Sequence, residues 1–151
     1  MYRLLSQKDI HWVNRKLGAS WLTVGRFGCT TTAVSMVSDH FGEFIDPGVL
    51  SSNQQLYTRG GLLIWSEINN IFKTFRFTKR LRGYIKKEVM IGLSDPNEMV
   101  LLQVAYGRHW VLADKMEEQD IKVADPWLGD YGYALRRYWQ MNGSAHFRRK
   151  E

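Results

Sequence analysis

Helix and strand patterns occupy different parts of this chain of 151 residues. Apolar side chains recur at helical spacing from about residue 29 to residue 74, whereas short runs rich in β-branched and aromatic residues follow from residue 75 to residue 149. Helices followed by an antiparallel sheet are typical of the α+β class. We therefore predict an α+β fold in which N-terminal helices, led by one that begins at residue 29, pack on a C-terminal antiparallel sheet.

Three helices are predicted in the first part. The first covers residues 29–41 and ends before Gly42, a residue that favours helix termination. The second covers residues 47–56, with Asp46 as its N-terminal cap and proline at its first position. The third covers residues 63–74.

The strands are predicted from short β-rich runs separated by turn residues such as Pro96, Gly107 and Pro126. They are residues 75–77, 89–93, 99–105, 109–113 and 121–124, followed by a last pair at residues 133–138 and 145–149.

Composition predicts one domain that spans residues 1–151. Hydrophobic residues make up 44% of the chain, which is enough for a core, and no Pro-, Gly- or Ser-rich linker divides it. The N-terminus lacks the apolar stretch of a signal peptide, and no apolar run approaches the roughly 20 residues of a membrane span. We therefore expect no membrane span, and a protein that is cytoplasmic or is released without a signal peptide.

Cys29 is the only cysteine, and it follows Gly28 where the first helix is predicted to begin. The N-terminus of a helix carries a partial positive charge and unpaired N–H groups, so a thiol there ionises more easily than a free one. The pattern indicates a nucleophile. The alternative is a small buried apolar residue, which is the usual role of a lone cysteine.

His109 and Asp125 lie on the two arms of one predicted hairpin. The arms, residues 109–115 and 119–125, flank a polar stretch centred on Glu117, and this count places His109 directly opposite Asp125. Directly opposed residues have Cβ atoms about 4.5–5.5 Å apart, which lets a carboxylate hold an imidazole in one orientation. The alternation of side chains supports this pairing, because one face then carries His109, Val111, Ala113, Ile121, Val123 and Asp125.

The order of these residues resembles that of a known group. Gln7, Cys29, His109 and Asp125, within Phe-Gly-Cys, His-Trp-Val-Leu-Ala and Val-Ala-Asp-Pro-Trp, are similar to motifs of the papain-like cysteine peptidases of the bacteriocin-leader-processing (double-glycine peptidase-like) group. The resemblance spans nearly the whole chain. It departs at Thr30, where such enzymes often have glycine, and in the position of Gln7, which lies 22 residues before Cys29.

The resemblance implies a papain-like fold and a role for each of the four residues. The Gln7 amide would help to form an oxyanion hole, Cys29 would be acylated, His109 would act as the base, and Asp125 would orient His109. The expected function is a cysteine-dependent hydrolase that cleaves a peptide bond through an acyl-enzyme, with a peptide or protein as substrate. Two alternatives stay open: a peptidoglycan amidase or endopeptidase of the same fold, which would take cell-wall peptides, and a non-catalytic binding module on a degenerate peptidase fold.

Neither a metal nor a nucleotide cofactor is predicted. The other histidines, His11, His40 and His146, are scattered and show no metal-ligand spacing. The chain also contains no glycine-rich phosphate-binding motif.

The net charge of +6 is concentrated in residues 73–87, which hold seven basic residues and no acidic one. Such a segment attracts anionic partners, and the aromatic residues within it are compatible with single-stranded nucleic acid. However, Phe75 and Phe77 alternate with polar residues as in a half-buried strand. We therefore expect both rings to face the core, and no specific nucleic-acid partner.

Overall fold

The computed structural model describes residues 1–151 and contains six helices and six strands. The helices are α1 (Val24–Phe27), α2 (Cys29–His40), α3 (Pro47–Ser51), α4 (Ile68–Ile71), α5 (Lys86–Ser94) and α6 (Ala134–Tyr138). The strands are β1 (Phe75–Arg82), β2 (Glu98–Val104), β3 (His109–Glu117), β4 (Asp120–Asp125), β5 (Asp130–Tyr133) and β6 (Met141–Arg149). Short 3-10 turns lie at Gln54–Leu56, Trp65–Glu67 and Ala105–Gly107.

All six strands join in one antiparallel sheet, in the order β1-β6-β2-β3-β4-β5. The predicted α+β class is thereby confirmed. No helix is both long enough and apolar enough to cross a membrane.

The sheet carries apolar side chains on both faces because helices cover both. Alternate residues of a strand point to opposite faces, and Leu112 therefore packs with α2 while its neighbours Val111 and Ala113 pack with α5 and α6. The larger core lies on the α2 side and also holds Phe72 and Phe75. This layering positions the N-terminus of α2 beside the sheet.

Gly28 allows α1 to lead directly into α2. A Cβ atom at this position would lie 2.5 Å from the Val24 carbonyl oxygen, a distance that no other residue tolerates. The Gly28 N–H donates to the same carbonyl at 2.8 Å. The tight junction makes Cys29 the first residue of α2, as predicted.

The predicted helix limits are confirmed where local signals set them. Gly42 follows α2 with a φ of +79°, and the Asp46 side chain accepts a hydrogen bond from Val49 N at 2.9 Å at the start of α3. The second and third helices are shorter than predicted. Asn53 interrupts the second, because its side chain accepts a hydrogen bond from Gln55 N at 3.2 Å and so competes with the helical pattern.

Two predicted strands are wrong. Residues 89–93 belong to α5, whose Val89 and Gly92 face the sheet; a Cβ at Gly92 would lie 2.5 Å from Val100 Cγ2. Periodicity does not separate a buried strand from a buried helix over so short an apolar run.

Residues 133–138 form the end of β5 and the helix α6 rather than one strand. The cap of α6 comes from a distant residue: the Asp120 carboxylate accepts hydrogen bonds from Leu135 N at 2.8 Å and Arg136 N at 3.0 Å. The predicted last pair is therefore also wrong, since β6 pairs with β1 and β2.

The register of the β3–β4 hairpin differs from the predicted one by two residues. Leu112 pairs with Ala124, and the same register, continued along β4, sets Asp125 opposite Val111 rather than His109. The turn is centred between Glu118 and Gln119, and the register shifts at Asp114. Because side chains alternate with a period of two, a shift of two residues keeps His109 and Asp125 on one face as diagonal neighbours.

Candidate active site

A cleft of about 260 Å³ opens between the N-terminus of α2 and the start of β3. Gln7, Cys29 and His109 all line it, and Asp125 lies directly behind His109. The structure therefore brings together the four residues predicted from the sequence.

Cys29 is 9% exposed, and this exposed part lies in the cleft. The nearest hydroxyl is that of Thr30, whose Oγ1 lies 3.9 Å from Sγ. Because Cys29 is the first residue of α2, its backbone N–H has no acceptor within the helix. Cys29 thus offers both a thiol and an unpaired backbone N–H donor at the N-terminus of α2.

His109 is held by the carboxylate of Asp125. The His109 Nε2 atom lies 2.8 Å from Asp125 Oδ1, and because an ionised carboxylate only accepts, Nε2 carries the proton of this hydrogen bond. The second ring nitrogen, Nδ1, is left for the thiol. The His109 side chain is 12% exposed, so water has little access to this pair.

Asp125 is fully buried and accepts four hydrogen bonds. Oδ1 accepts from His109 and from Trp127 N at 3.0 Å, while Oδ2 accepts from Arg137 Nη1 at 2.9 Å and from the Tyr138 hydroxyl. Every lone-pair direction of the carboxylate therefore has a donor. This arrangement fixes the carboxylate in place and, through it, the imidazole.

The electrostatics favour an ion pair between Cys29 and His109. Burial alone would raise the pKa of Asp125, but the hydrogen bonds from His109 and Tyr138 bring it well below its usual range. Burial likewise opposes protonation of His109, yet its hydrogen bond to Asp125 and the neighbouring Cys29 thiolate raise its pKa to about 9. For Cys29, burial raises the pKa, but the neighbouring His109 and its charge outweigh this effect and lower the pKa.

Gln7 is 1% exposed and joins the first loop to the hairpin, since its backbone N–H donates to Pro126 O at 2.7 Å. Its side-chain Nε2 donates to the carbonyl oxygens of Val24 and Gly25 at 3.5 and 3.3 Å, and its Oε1 is buried without a partner. The segment between Gln7 and Cys29 therefore folds back to the cleft. A role in the oxyanion hole requires one amide hydrogen to turn from these carbonyls towards the substrate.

Arg137 and Tyr138 are the site residues that the sequence did not predict. They lie 12 and 13 residues beyond Asp125, and no local pattern links them to it. Arg137 also binds Asp130 through two hydrogen bonds of 2.9 and 3.3 Å. The predicted strand over residues 133–138 would point Arg137 and Tyr138 to opposite faces of the sheet, so it did not indicate that both contact Asp125.

The segment before His109 adopts an uncommon backbone conformation. Ala105, Tyr106 and Gly107 have φ values of 54°, 58° and 84°, and the left-handed region costs roughly 1–2 kcal/mol for a residue other than glycine. Gln103 Nε2 donates to Gly107 O at 3.0 Å, and Gly107 N donates to the Asn142 side chain at 3.1 Å. These hydrogen bonds hold the turn that brings His109 to the cleft.

The remaining histidines lie outside this site and have other neighbours. His11 contacts Asp9 at 2.6 Å, His40 lies 3.0 Å from the N-terminal amine, and His146 lies 2.8 Å from Ser144 Oγ. No three His, Cys, Asp or Glu side chains lie close enough together to hold a metal ion.

The basic segment of residues 73–87 is centred on β1. Phe75 is fully buried, and Phe77 stacks on Trp65 with ring centroids 5.6 Å apart. The prediction that both rings face the core is confirmed. These rings are therefore not available to stack on bases.

We expect only weak binding of nucleic acid to this segment. Without stacking partners the segment offers charge alone, and on duplex DNA log affinity falls by roughly 0.9 per neutralised phosphate for each tenfold rise in salt. A gel-shift titration should show binding that is lost near 150 mM salt. Tight, sequence-selective binding at that salt would contradict this expectation.

Comparison of the chain with models of protein families, with curated proteins and with solved structures gave no match.

Proposed function

We propose that this protein is a papain-like cysteine hydrolase that cleaves a peptide bond through an acyl-enzyme. One observation carries the proposal: His109 lies in the same cleft as the Cys29 thiol and is held from behind by the buried carboxylate of Asp125. A nucleophile, a base and a group that orients the base form the minimal constellation for nucleophilic acyl transfer. A helix that carries the thiol and a sheet that carries the imidazole support a papain-like arrangement.

Acylation follows from the ion pair. The Cys29 thiolate attacks the carbonyl carbon of the scissile bond, and its sulfur forms a bond to that carbon while the carbonyl oxygen becomes an oxyanion. The His109 imidazolium then gives the Nδ1 proton to the nitrogen of the leaving amine. The carbon–nitrogen bond breaks, which leaves a thioester on Cys29 and a neutral His109.

Deacylation uses the same groups in reverse. Neutral His109 takes a proton from a water molecule, whose oxygen attacks the thioester carbon. The carbon–sulfur bond breaks, the acid product leaves, and the thiolate–imidazolium pair is restored. Asp125 keeps its charge throughout and stabilises the imidazolium.

The oxyanion needs hydrogen-bond donors in the cleft. The backbone N–H of Cys29 is one, since it is unpaired at the first position of α2. The Gln7 amide is the proposed second donor after it turns from the carbonyls of Val24 and Gly25.

The present partners of Gln7 favour a second candidate function, a non-catalytic binding module on the same fold. In that case the amide would stay bound to the backbone, and the cleft would hold a peptide without cleaving it. Reactivity of the thiol separates the two candidates. A zymogram on cell walls then separates a cell-wall amidase or endopeptidase from a hydrolase of other peptides.

Alkylation of Cys29 by iodoacetamide should depend only weakly on pH between 6 and 9. An ordinary thiol with a pKa of about 8.5 is roughly 0.3% thiolate at pH 6, so its rate falls by more than about 100-fold over this range. Because His109 lowers the pKa of Cys29, the thiolate persists at lower pH and the fall should be far smaller. Mass spectrometry of the labelled protein over time gives the rates.

The variant His109→Gln is the matched control, because it removes the imidazolium and should restore the steep pH dependence of an ordinary thiol. If the wild-type protein itself shows that steep dependence, the thiol is not activated and the hydrolase proposal is wrong.

A further inference from the structure

We infer that the Cys29 cleft selects peptides that carry an acidic side chain next to an apolar one close to the scissile bond. The inference rests on the proposed function in taking a peptide as the ligand. It concerns the residues around the reacting groups, which the hydrolytic mechanism does not use.

The first observation is the sign of the charge. Two arginines, Arg26 and Arg108, line the cleft, whereas no aspartate or glutamate does. Both arginines are exposed, and neither forms an ion pair with a carboxylate. An anionic group entering the cleft therefore meets cations without having to displace a carboxylate of the protein.

The second observation is the position of these cations. Arg26 belongs to α1, three residues before Cys29, and Arg108 immediately precedes His109. One cation thus comes from the helical wall of the cleft and the other from the sheet wall. Both cations are thus within three residues of a reacting side chain and line the same cleft, which places the acidic preference near the scissile bond.

The third observation is the apolar rim. Phe27, Leu62 and Trp127 line the cleft and are 50%, 70% and 41% exposed. A ligand that covers these exposed apolar side chains is stabilised in its bound state, in proportion to the apolar area removed from water. The ligand that matches this rim has an apolar side chain.

Cations and aromatic rings also lie together on this rim. The Lys8 ammonium lies 3.8 Å from the centroid of the Trp127 ring, and the Arg26 guanidinium lies 5.8 Å from that of Phe27. At Phe27 and at Trp127 the rim thus offers charge and apolar surface side by side. A segment with adjacent acidic and apolar residues fits this pairing better than either residue type alone.

Two alkylating reagents of similar size test the charge at the thiol. Iodoacetate is anionic and iodoacetamide is neutral. The rate with iodoacetate divided by the rate with iodoacetamide, normalised to the same quotient for a free cysteine peptide, therefore reports the electrostatic potential at the thiol. We expect this normalised ratio to fall by roughly 2-fold to 5-fold for each arginine removed in Arg26→Gln and Arg108→Gln, as for a unit charge acting through water over a few ångströms. Added salt should reduce the wild-type ratio as well.

Arg76→Gln is the matched control, since it removes the same charge from an exposed residue of β1 that is paired with the far end of β6. It should leave the ratio unchanged. An iodoacetate preference equal in the wild type and in the double variant Arg26→Gln/Arg108→Gln would overturn the inference. If instead the rate of alkylation by iodoacetamide depends on pH as steeply as that of an ordinary thiol, the proposed hydrolase function is wrong but the inferred peptide preference is not affected.

A binding experiment decides the inference even if the thiol proves inert. Immobilised Cys29→Ala protein is exposed to a random hexapeptide mixture, and the retained peptides are sequenced by mass spectrometry. We expect enrichment of Asp and Glu over Asn and Gln, next to apolar residues, and loss of that enrichment when Arg26→Gln and Arg108→Gln are added. Retention without acidic enrichment, or no retention of any peptide, would overturn the inference.

Discussion

Replacement of Cys29 by Ala or Ser is expected to abolish hydrolysis while the fold is kept. The thiolate forms the bond to the substrate, so its removal should lower kcat/KM by at least about 10⁴-fold. The fold should tolerate the change because the side chain is small and stands at the beginning of α2 rather than in its interior. We expect a loss of about 1 kcal/mol in the free energy of unfolding. Cleavage of a peptide mixture, followed by mass spectrometry, and urea denaturation measure the two effects.

Thr32→Ala is the control for this experiment. Thr32 lies in the same helix, is fully buried, and its Oγ1 has no hydrogen-bond partner. The substitution is of similar size and should leave activity intact. Full activity of Cys29→Ala on any substrate of the wild-type protein would show that Cys29 is not the nucleophile.

Asp125→Asn should have the second largest effect, on both activity and stability. The carboxylate holds the His109 imidazole and keeps the pKa of His109 raised, so an amide in its place lowers the proportion of the ion pair. We expect a loss in kcat/KM on the order of 10²-fold to 10⁴-fold. The amide nitrogen also cannot accept a hydrogen bond from Arg137, and the free energy of unfolding should fall by roughly 2–4 kcal/mol.

Asp130→Asn provides a matched control, because it makes the same change in the other carboxylate that binds Arg137. Asp130 is 45% exposed, so its ion pair contributes little to stability. Activity of this variant should stay within about 3-fold of the wild-type value, as expected for a surface ion pair. Equal losses in Asp125→Asn and Asp130→Asn would mean that Asp125 acts through Arg137 and not through His109.

The pH dependence of alkylation tests whether Asp125 acts on Cys29 through His109. Because Asp125→Asn lowers the pKa of His109, the Cys29 thiolate should become less populated at pH 6, and labelling by iodoacetamide there should slow. A merely destabilised protein would not show this change at a temperature where it is fully folded.

Local signals in the sequence are sufficient to place Cys29 at the beginning of α2. Gly28 is needed because of its close approach to Val24, and the same glycine marks the start of α2. The cap at Asp46 is likewise set by atoms a few residues away. Such features are predictable because both partners lie within one short stretch of sequence.

The face shared by His109 and Asp125 was predictable, whereas their exact register was not. Strand alternation has a period of two, and an error of two residues therefore leaves the face unchanged. The register itself depends on the shift at Asp114, whose carboxylate accepts a hydrogen bond from Tyr2 at 2.9 Å. That partner lies 112 residues away, beyond the reach of any local pattern.

The sequence by itself determined the α+β class, the helix that begins at Cys29 and the candidate residues of the cleft, because these follow from periodicity, caps and residue type. Only the tertiary structure decided that Arg137 and Tyr138 hold Asp125, and that Arg26 and Arg108 line the same cleft. Arg137 and Tyr138 reach Asp125 because they lie on α6, whose first turn is capped by Asp120 on β4. Contacts that depend on the packing of distant segments have no signature within either segment.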